Sequence, residues 1–383
     1  MIDLFSIHPY HAPPPETDRV DEKIRDLISA LPTIAGKKMP VISTEQGYAA
    51  VFGSVHKYRE QSQWLLRTAL IMMGEGVRVH HPFYAYDYLS EAGFGIFFNN
   101  EPKQPWGPKD LSPKPTVPAL AVFSRELLDA KATRSLRFLD EDVWGYAYEK
   151  NGKPVLALWT VSENKNLSLV AGKVSSVERS DMMGVNASLA VQNGRVPLVL
   201  GPDPIYLKGV DPDLYGRAVQ TAKKDPFPVF PGEVKTLSPI LENGESIRSA
   251  ESFGLPRLTV SEDRKSLSIA IPNDAEAATE PVVLSIQSGA SSRKETHWIQ
   301  IPPNLRVEKI SQAGDNTFEI AIRNFGIQNT GFELSAKNNP EIIRGEVSGG
   351  QVKTVSFPIG RVGEAADTAK ALETEFRFKS QGR

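Results

Sequence analysis

The sequence predicts a multidomain chain in which an α/β portion is followed by all-β domains. Three observations carry that expectation. Short apolar runs near the start are separated by stretches with helical spacing, alternating strands take over near residue 130, and asparagine–glycine dipeptides punctuate those later strands. The chain has 383 residues, which points to two or three domains at roughly 100–200 residues each. With 40% hydrophobic and 23% charged residues, folding is expected throughout. A formal net charge of −2 leaves no basic footprint for a nucleic-acid backbone or an anionic membrane, so neither is an expected partner. The absence of cysteine excludes disulfides, thiolate catalysis and Cys-ligated zinc. No apolar run approaches the roughly 20 residues of a membrane span.

In order along the chain, Ile2–Ile7 is an apolar run of buried-strand type that ends at His8-Pro9-Tyr10. After Pro13-Pro14-Pro15, apolar residues at Val20, Ile24, Leu27, Ile28 and Leu31 have the spacing of an amphipathic helix closed by Pro32. A second strand, Met39–Thr44, runs into Glu45, and a long helix is expected over 55–73. Gly76 opens a third strand, Val77–Tyr84, and another helix is expected over 118–128. Strands separated by helices indicate parallel βαβ units. Beyond residue 130, Val143–Tyr148 and Val155–Trp159 flank Asn151-Gly152, a hairpin signal. Leu167–Val170 and Val196–Leu200, with Asn193-Gly194 before the latter, extend an antiparallel domain that is expected to end near Tyr206-Leu207. The Pro-rich segment over 226–231 reads as a linker, and the alternating strands Leu267–Ile271, Trp298–Ile301 and Phe318–Ile322 read as a β-sandwich. The expected domains are therefore 1–130, 131–225 and 226–383.

Among residues able to carry chemistry, Glu45 stands at the C-terminal end of a parallel strand, the edge from which catalytic side chains of (β/α) barrels project. A carboxylate there can attack an anomeric carbon if a second carboxyl lies roughly 5–5.5 Å away. The same position suits a solvated glutamate beginning a loop. Ile7-His8-Pro9-Tyr10 ends the preceding strand and Phe83–Asp87 the following one, so all three strand ends would open on one face. Tyr84, Tyr86 and Trp106 offer stacking surfaces for sugar rings, or packing residues. Asp87 offers a sugar hydroxyl an acceptor, or forms a turn. His80-His81 are adjacent on a strand and point to opposite faces, so they cannot share one ion. His8, His11 and Glu16 have no recognisable ligand spacing. No metal and no cofactor is expected. Ser43 lacks a G-x-S-x-G elbow, which argues against a serine nucleophile.

On these motifs the sequence resembles clan A retaining glycoside hydrolases, built on (β/α)8 TIM barrels, of the β-xylosidase, α-L-iduronidase or cellulase type. His8-Pro9-Tyr10 matches their sixth-strand "HxY", Thr44-Glu45-Gln46-Gly47 their seventh-strand "TE.G", and the tyrosines after residue 83 their aromatic eighth-strand exit. Trp144–Trp159, Asp181–Gly184 and Pro204–Leu207 resemble the small β domain that follows the barrel in several such families, so the likeness covers about the first 207 residues. The resemblance implies the C-terminal portion of a TIM barrel (its sixth to eighth strands) followed by β-sandwich domains. It implies Glu45 as nucleophile and His8, Tyr10, Tyr84, Tyr86 and Asp87 at the sugar site, with Tyr10 donating to Glu45. The acid/base carboxyl, expected on an earlier strand, would belong to an N-terminal barrel half supplied in cis or in trans. Gln46 departs from the aromatic often found beside the nucleophile, and tyrosines stand where many relatives present tryptophan, so sugar preference does not transfer. The expected function is hydrolysis of glycosidic bonds in an oligo- or polysaccharide, in a secreted or cell-envelope setting. MIDLFSIHPY carries no signal peptide and reads as the middle of a domain. The alternative is a carbohydrate-binding or scaffolding protein without turnover.

Overall fold

Three short strands lie side by side and parallel: β1 (Phe5–Ile7), β2 (Val41–Gln46) and β3 (Val79–Pro82), with β2 in the centre. They belong to a computed structural model that describes residues 4–34, 36–50, 55–87, 93–98, 111–161, 163–217, 220–221, 226–254, 256–273, 275, 277–314, 317–325, 329–336, 339–358 and 376–381. The chain divides into two compact units, Met1–Val219 and Gln220–Arg383.

Helix α1 (Val20–Ala30) links β1 to β2, and α2 (Val55–Glu75) links β2 to β3. Asp21 and Glu22 in the first turn of α1 complement the positive end of its dipole. Val20 and Ile24 are buried with Val41 of β2 and with Leu70, Ile71 and Met72 of α2, so the predicted spacing puts its apolar stripe on the sheet. The end of α2 is a Schellman motif: Gly76 adopts φ +102°, its N–H donates to Met73 O at 3.2 Å, and Val77 N–H donates to Met72 O at 2.9 Å. That motif consumes Val77, which is why the third strand starts at Val79 and not at the expected Val77. Helix α3 (Thr116–Leu127) carries Pro118 in its first turn, where no intrahelical N–H bond is needed.

One expectation is corrected at β1. The apolar run reads as a buried strand, yet Leu4 is 45% and Phe5 is 37% exposed, and only Ile7 packs on the core. The cause is position: β1 and β3 are the two edges of the sheet, and among the described residues neither has a second strand neighbour. Val41 and Ser43 face the helices and are buried, whereas Ser6, Ile42 and Val79, in register across the three strands, lie on the opposite face with Thr44.

The alternation after residue 130 builds a six-stranded antiparallel sheet. Its order is Asn186–Ala190, Ser176–Ser180, Ile205–Lys208, Lys153–Thr160, Val143–Lys150 and Lys131–Ser135. Asn151-Gly152 and Asn193-Gly194 all take positive φ, the geometry of the tight turns those dipeptides predict. The antiparallel domain continues past the expected end: Tyr215, in a short helix Pro212–Tyr215, is buried and its hydroxyl donates to Val170 O at 2.7 Å.

The change of periodicity near residue 130 is a change of layer within one packed unit. Tyr148 Oη donates to Leu70 O of α2 and Tyr146 Oη to Glu75 Oε1, both at 2.8 Å. A Cβ on Gly74 would come within 2.3 Å of the Tyr146 ring, so only glycine permits this approach of helix to sheet. Below that seam sits a buried ion pair. Arg67 Nε of α2 lies 3.2 Å from Glu16 Oε1, both side chains at most 2% exposed, and Trp159 Nε1 donates to the same oxygen at 2.7 Å. The Arg67 Nη1 donates to Thr160 O and Val161 O, which ties the helix to the end of the Lys153–Thr160 strand.

The second unit holds two sandwiches. In the first, strands Glu245–Ser252, Ala278–Ser288 and Ser291–Ile301 share a core with Val234–Leu237, Arg257–Val260 and Leu267–Ala270. In the second, Leu305–Gly314, Thr317–Asn324 and Val352–Pro358 form one sheet, and Asn339–Val347, Thr330–Ala336 and Phe376–Gln381 form another. Ile320, Ile322, Phe332, Leu334 and Phe357 are buried in their separate core. Alternation reads as one sandwich over 226–383 because period-two patterning marks faces and does not reveal which faces meet. The segment expected to be a linker is instead built in: Phe227–Pro228 pairs with Ile299-Gln300 and Val229 is fully buried.

Candidate functional site

Glu45 is the fifth residue of β2, at the C-terminal end of the central parallel strand, beside a register irregularity against β3 between Ser43 and Gln46. Its neighbours come from the end of β1. The Tyr10 hydroxyl donates to Glu45 Oε2 at 3.4 Å, and His8 Nδ1 lies 3.4 Å from the same oxygen. The other ring nitrogen of His8, Nε2, is 2.8 Å from Thr44 Oγ1, which is in turn 2.7 Å from Ser6 Oγ. His8 and Glu45 are both partly exposed, at 50% and 37% of their side-chain surface, so an incoming molecule can reach them.

The exit of β3 brings aromatic surface to the same end. Phe83 sits edge-on to Tyr10 with centroids 5.9 Å apart and lies 3.8 Å from the Tyr84 ring. Tyr10, Tyr84 and Tyr86 are all exposed. Gly47 has no room for a Cβ, which would fall 2.5 Å from Phe83 O, so the β2 and β3 exits run in close contact. Trp106 lies outside the described residues.

Asp87 is not at this surface, and its expected role at the sugar is corrected. Its side chain is 5% exposed and accepts from Lys114 Nζ at 2.8 Å and from Gly95 N at 2.9 Å. The residue works inward: Lys114 is fully buried, with its ammonium also 5.5 Å from the Tyr58 ring centroid and 5.4 Å from that of Phe98. This pairing folds the loop that carries Tyr84 and Tyr86, since Asp87 N–H donates to Phe97 O and Phe97 N–H to Ala85 O. No sequence signal links Asp87 to Lys114, because the two stand 27 residues apart.

The histidine pair also separates. His81 is exposed, whereas the His80 Nε2 atom is buried and its Nδ1 is 3.3 Å from Ser43 Oγ. Burial pushes the His80 imidazole down to about 4, with the charges of His81 and His11 acting in the same direction. The folded value lies below the ordinary one near 6.5, so between about pH 6.5 and 4 the unfolded chain binds the extra proton. Stability is therefore present above that window and lost as pH falls through it. His80→Gln is expected to reduce the loss between pH 7.5 and 4.5 by about 2–3 kcal/mol, read from urea unfolding at both pH values.

His11 and Glu16 are likewise structural. His11 Nδ1 is 2.6 Å from Pro9 O, its Nε2 meets the Tyr48 hydroxyl, and that hydroxyl is 2.8 Å from Thr68 Oγ1. Among the described residues no group of three or more His, Asp or Glu could hold a metal ion. No helix of the described residues is long and apolar enough to cross a membrane. The partners missed in the sequence are Ser6 and Thr44. Strand alternation could have placed them on one face, but not within hydrogen-bond distance of each other and of His8.

No protein-family model matches this chain, and no curated protein matches it. Solved structures similar to part of it include a family 39 glycoside hydrolase from the gut symbiont Bacteroides cellulosilyticus WH2. That likeness has 25% identity over 55% of this chain and 44% of the other, with a TM-score of 0.43. A family 30 endoxylanase from Clostridium papyrosolvens C71 is similar at 14% identity over 46% of this chain and 43% of the other, TM-score 0.32. A mixed-linkage glucan utilization protein, SGBP-B, from Bacteroides ovatus is similar at 12% identity over 57% and 46%, TM-score 0.19. The chain spans less than half the length of each of these three structures.

Proposed function

We propose that this chain carries the nucleophile of a retaining glycoside hydrolase that cleaves oligo- or polysaccharides. The observation that carries the reading is the convergence of Tyr10 and His8, from one strand end, on the carboxylate of Glu45 at the end of the next. In this reading Glu45 attacks the anomeric carbon and forms a glycosyl-enzyme, which water then hydrolyses. Tyr10 donates to the carboxylate and orients it. Tyr84 and Tyr86 supply stacking faces at the rim. The acid/base carboxyl, about 5–5.5 Å from Glu45 in the working site, comes from further βα units added to the open sheet in cis or in trans. Residues 1–130 are then the last three units of a (β/α)8 barrel, 131–225 the associated β domain and 226–383 an accessory region. Apolar Val79, 44% exposed on the open sheet face, supports the addition of those units.

The reading is tested by assaying aryl glycosides with the chain alone and with candidate upstream barrel halves. Turnover is expected only in the combination, together with protection of the first 130 residues from protease. A chain that turns over by itself would require its own acid, and one that binds oligosaccharide without turnover in any combination would be a binding protein. In the active combination Tyr10→Phe is expected to lower kcat by about 10- to 1,000-fold with a smaller change in KM, as for other positioned donors. An unchanged kcat would leave Tyr10 a packing residue.

A further inference from the structure

Ser6, Thr44 and His8 form a continuous polar chain that ends on Glu45, and it has a direction. The Thr44 hydroxyl has one proton and two close partners, Ser6 Oγ at 2.7 Å and His8 Nε2 at 2.8 Å. A neutral imidazole has one N–H and one acceptor nitrogen, and which nitrogen holds the proton is set by what the other one meets. His8 Nδ1 is 3.4 Å from a carboxylate oxygen, which can only accept. A bare Nδ1 there would hold its electron-rich lone pair 3.4 Å from an anionic oxygen, so the electrostatics favour the proton on Nδ1. His8 Nε2 is then an acceptor, Thr44 must donate to it, and Ser6 must donate to Thr44.

We propose that Thr44 and Ser6 are positioning residues that fix His8 as the Nδ1–H tautomer, which places that proton beside the Glu45 carboxylate. Ser6 then donates to Thr44 and Thr44 to His8, the His8 Nδ1–H lies 3.4 Å from Glu45 Oε2, and Tyr10 O–H donates to the same oxygen. The catalytic meaning rests on Glu45 being the nucleophile, whereas the proton's position rests on the polar chain alone. The hydroxyls are placed by the strands: Ser6 pairs with Ile42, and Thr44 follows two residues later on the same face of β2.

The test is tautomer assignment by long-range 1H–15N correlation on the 383-residue chain labelled with 15N-histidine. It is run at about pH 8.5, where an ordinary imidazole is neutral, and the His8 signals are identified by their loss in His8→Gln. The wild-type chain is expected to show His8 mainly as Nδ1–H. Thr44→Val, which keeps the shape but removes the hydroxyl, is expected to shift it toward the Nε2–H form that a free histidine prefers in water. Thr44→Ser should restore Nδ1–H, and Ser6→Ala should give a mixture, because Thr44 is then free to turn. Unmoved signals from the other five histidines establish that each variant is folded. An Nε2–H majority in the wild-type chain, or a tautomer unchanged by Thr44→Val, overturns the proposal. Labelling of a carboxylate other than Glu45 by a mechanism-based sugar would overturn the glycosidase reading and leave the tautomer result standing.

Discussion

Replacing Glu45 with Gln in an active, completed barrel is expected to remove at least about 1,000-fold of kcat while leaving the fold unchanged. The amide has the size and shape of the carboxylate but is a poor nucleophile, and Glu45 is partly exposed with no buried pairing to lose. Tyr10 can still donate to the amide oxygen, so the thermal transition should move little. A 2-fluoro-sugar with a good leaving group should form a stable adduct on the peptide containing Glu45, read by mass spectrometry, and should not do so in the Gln variant. Full turnover in Glu45→Gln, or an adduct elsewhere, would remove Glu45 from the chemistry.

The largest expected effect on stability is at the buried pair of Arg67 and Glu16. Arg67→Met leaves the Glu16 carboxylate buried without its cation, and the cost of such an orphaned charge is about 3–5 kcal/mol. Burial already pushes Glu16 up and Arg67 down, each opposed by the partner's charge, so the pair is held by mutual compensation. Met also loses the two donations to Thr160 O and Val161 O. The double variant Glu16→Gln/Arg67→Met should recover part of the loss, because no uncompensated charge remains. Chemical unfolding of the first unit measures both. Because α2 packs on both sheets, the parallel layer and the antiparallel sheet are expected to unfold together. Separate transitions would show that this contact does not couple them.

Much of the local structure was legible in the residues themselves. Apolar spacing in Val20–Leu31 marked α1, the helical stretch over 55–73 marked most of α2, and the two asparagine–glycine pairs marked tight turns, because helix periodicity and positive φ depend on near neighbours. That successive parallel strands gather their C-terminal ends at one edge was also legible, whereas a contact between Tyr10 and Glu45 was implied only by the resemblance. Other features depended on which surfaces meet, and sequence order does not encode that directly. The exposure of Leu4 and Phe5 follows from β1 lying at a sheet edge. Asp87 turns inward because Lys114, 27 residues away, is buried beside it. Residues 226–383 form two cores, not one sandwich, because strands of similar period sort onto separate sheets. Residues along the chain thus determined the elements and the edge bearing Glu45, whereas packing between distant segments decided which polar groups are buried, which hydroxyls reach His8, and which aromatics remain at the surface.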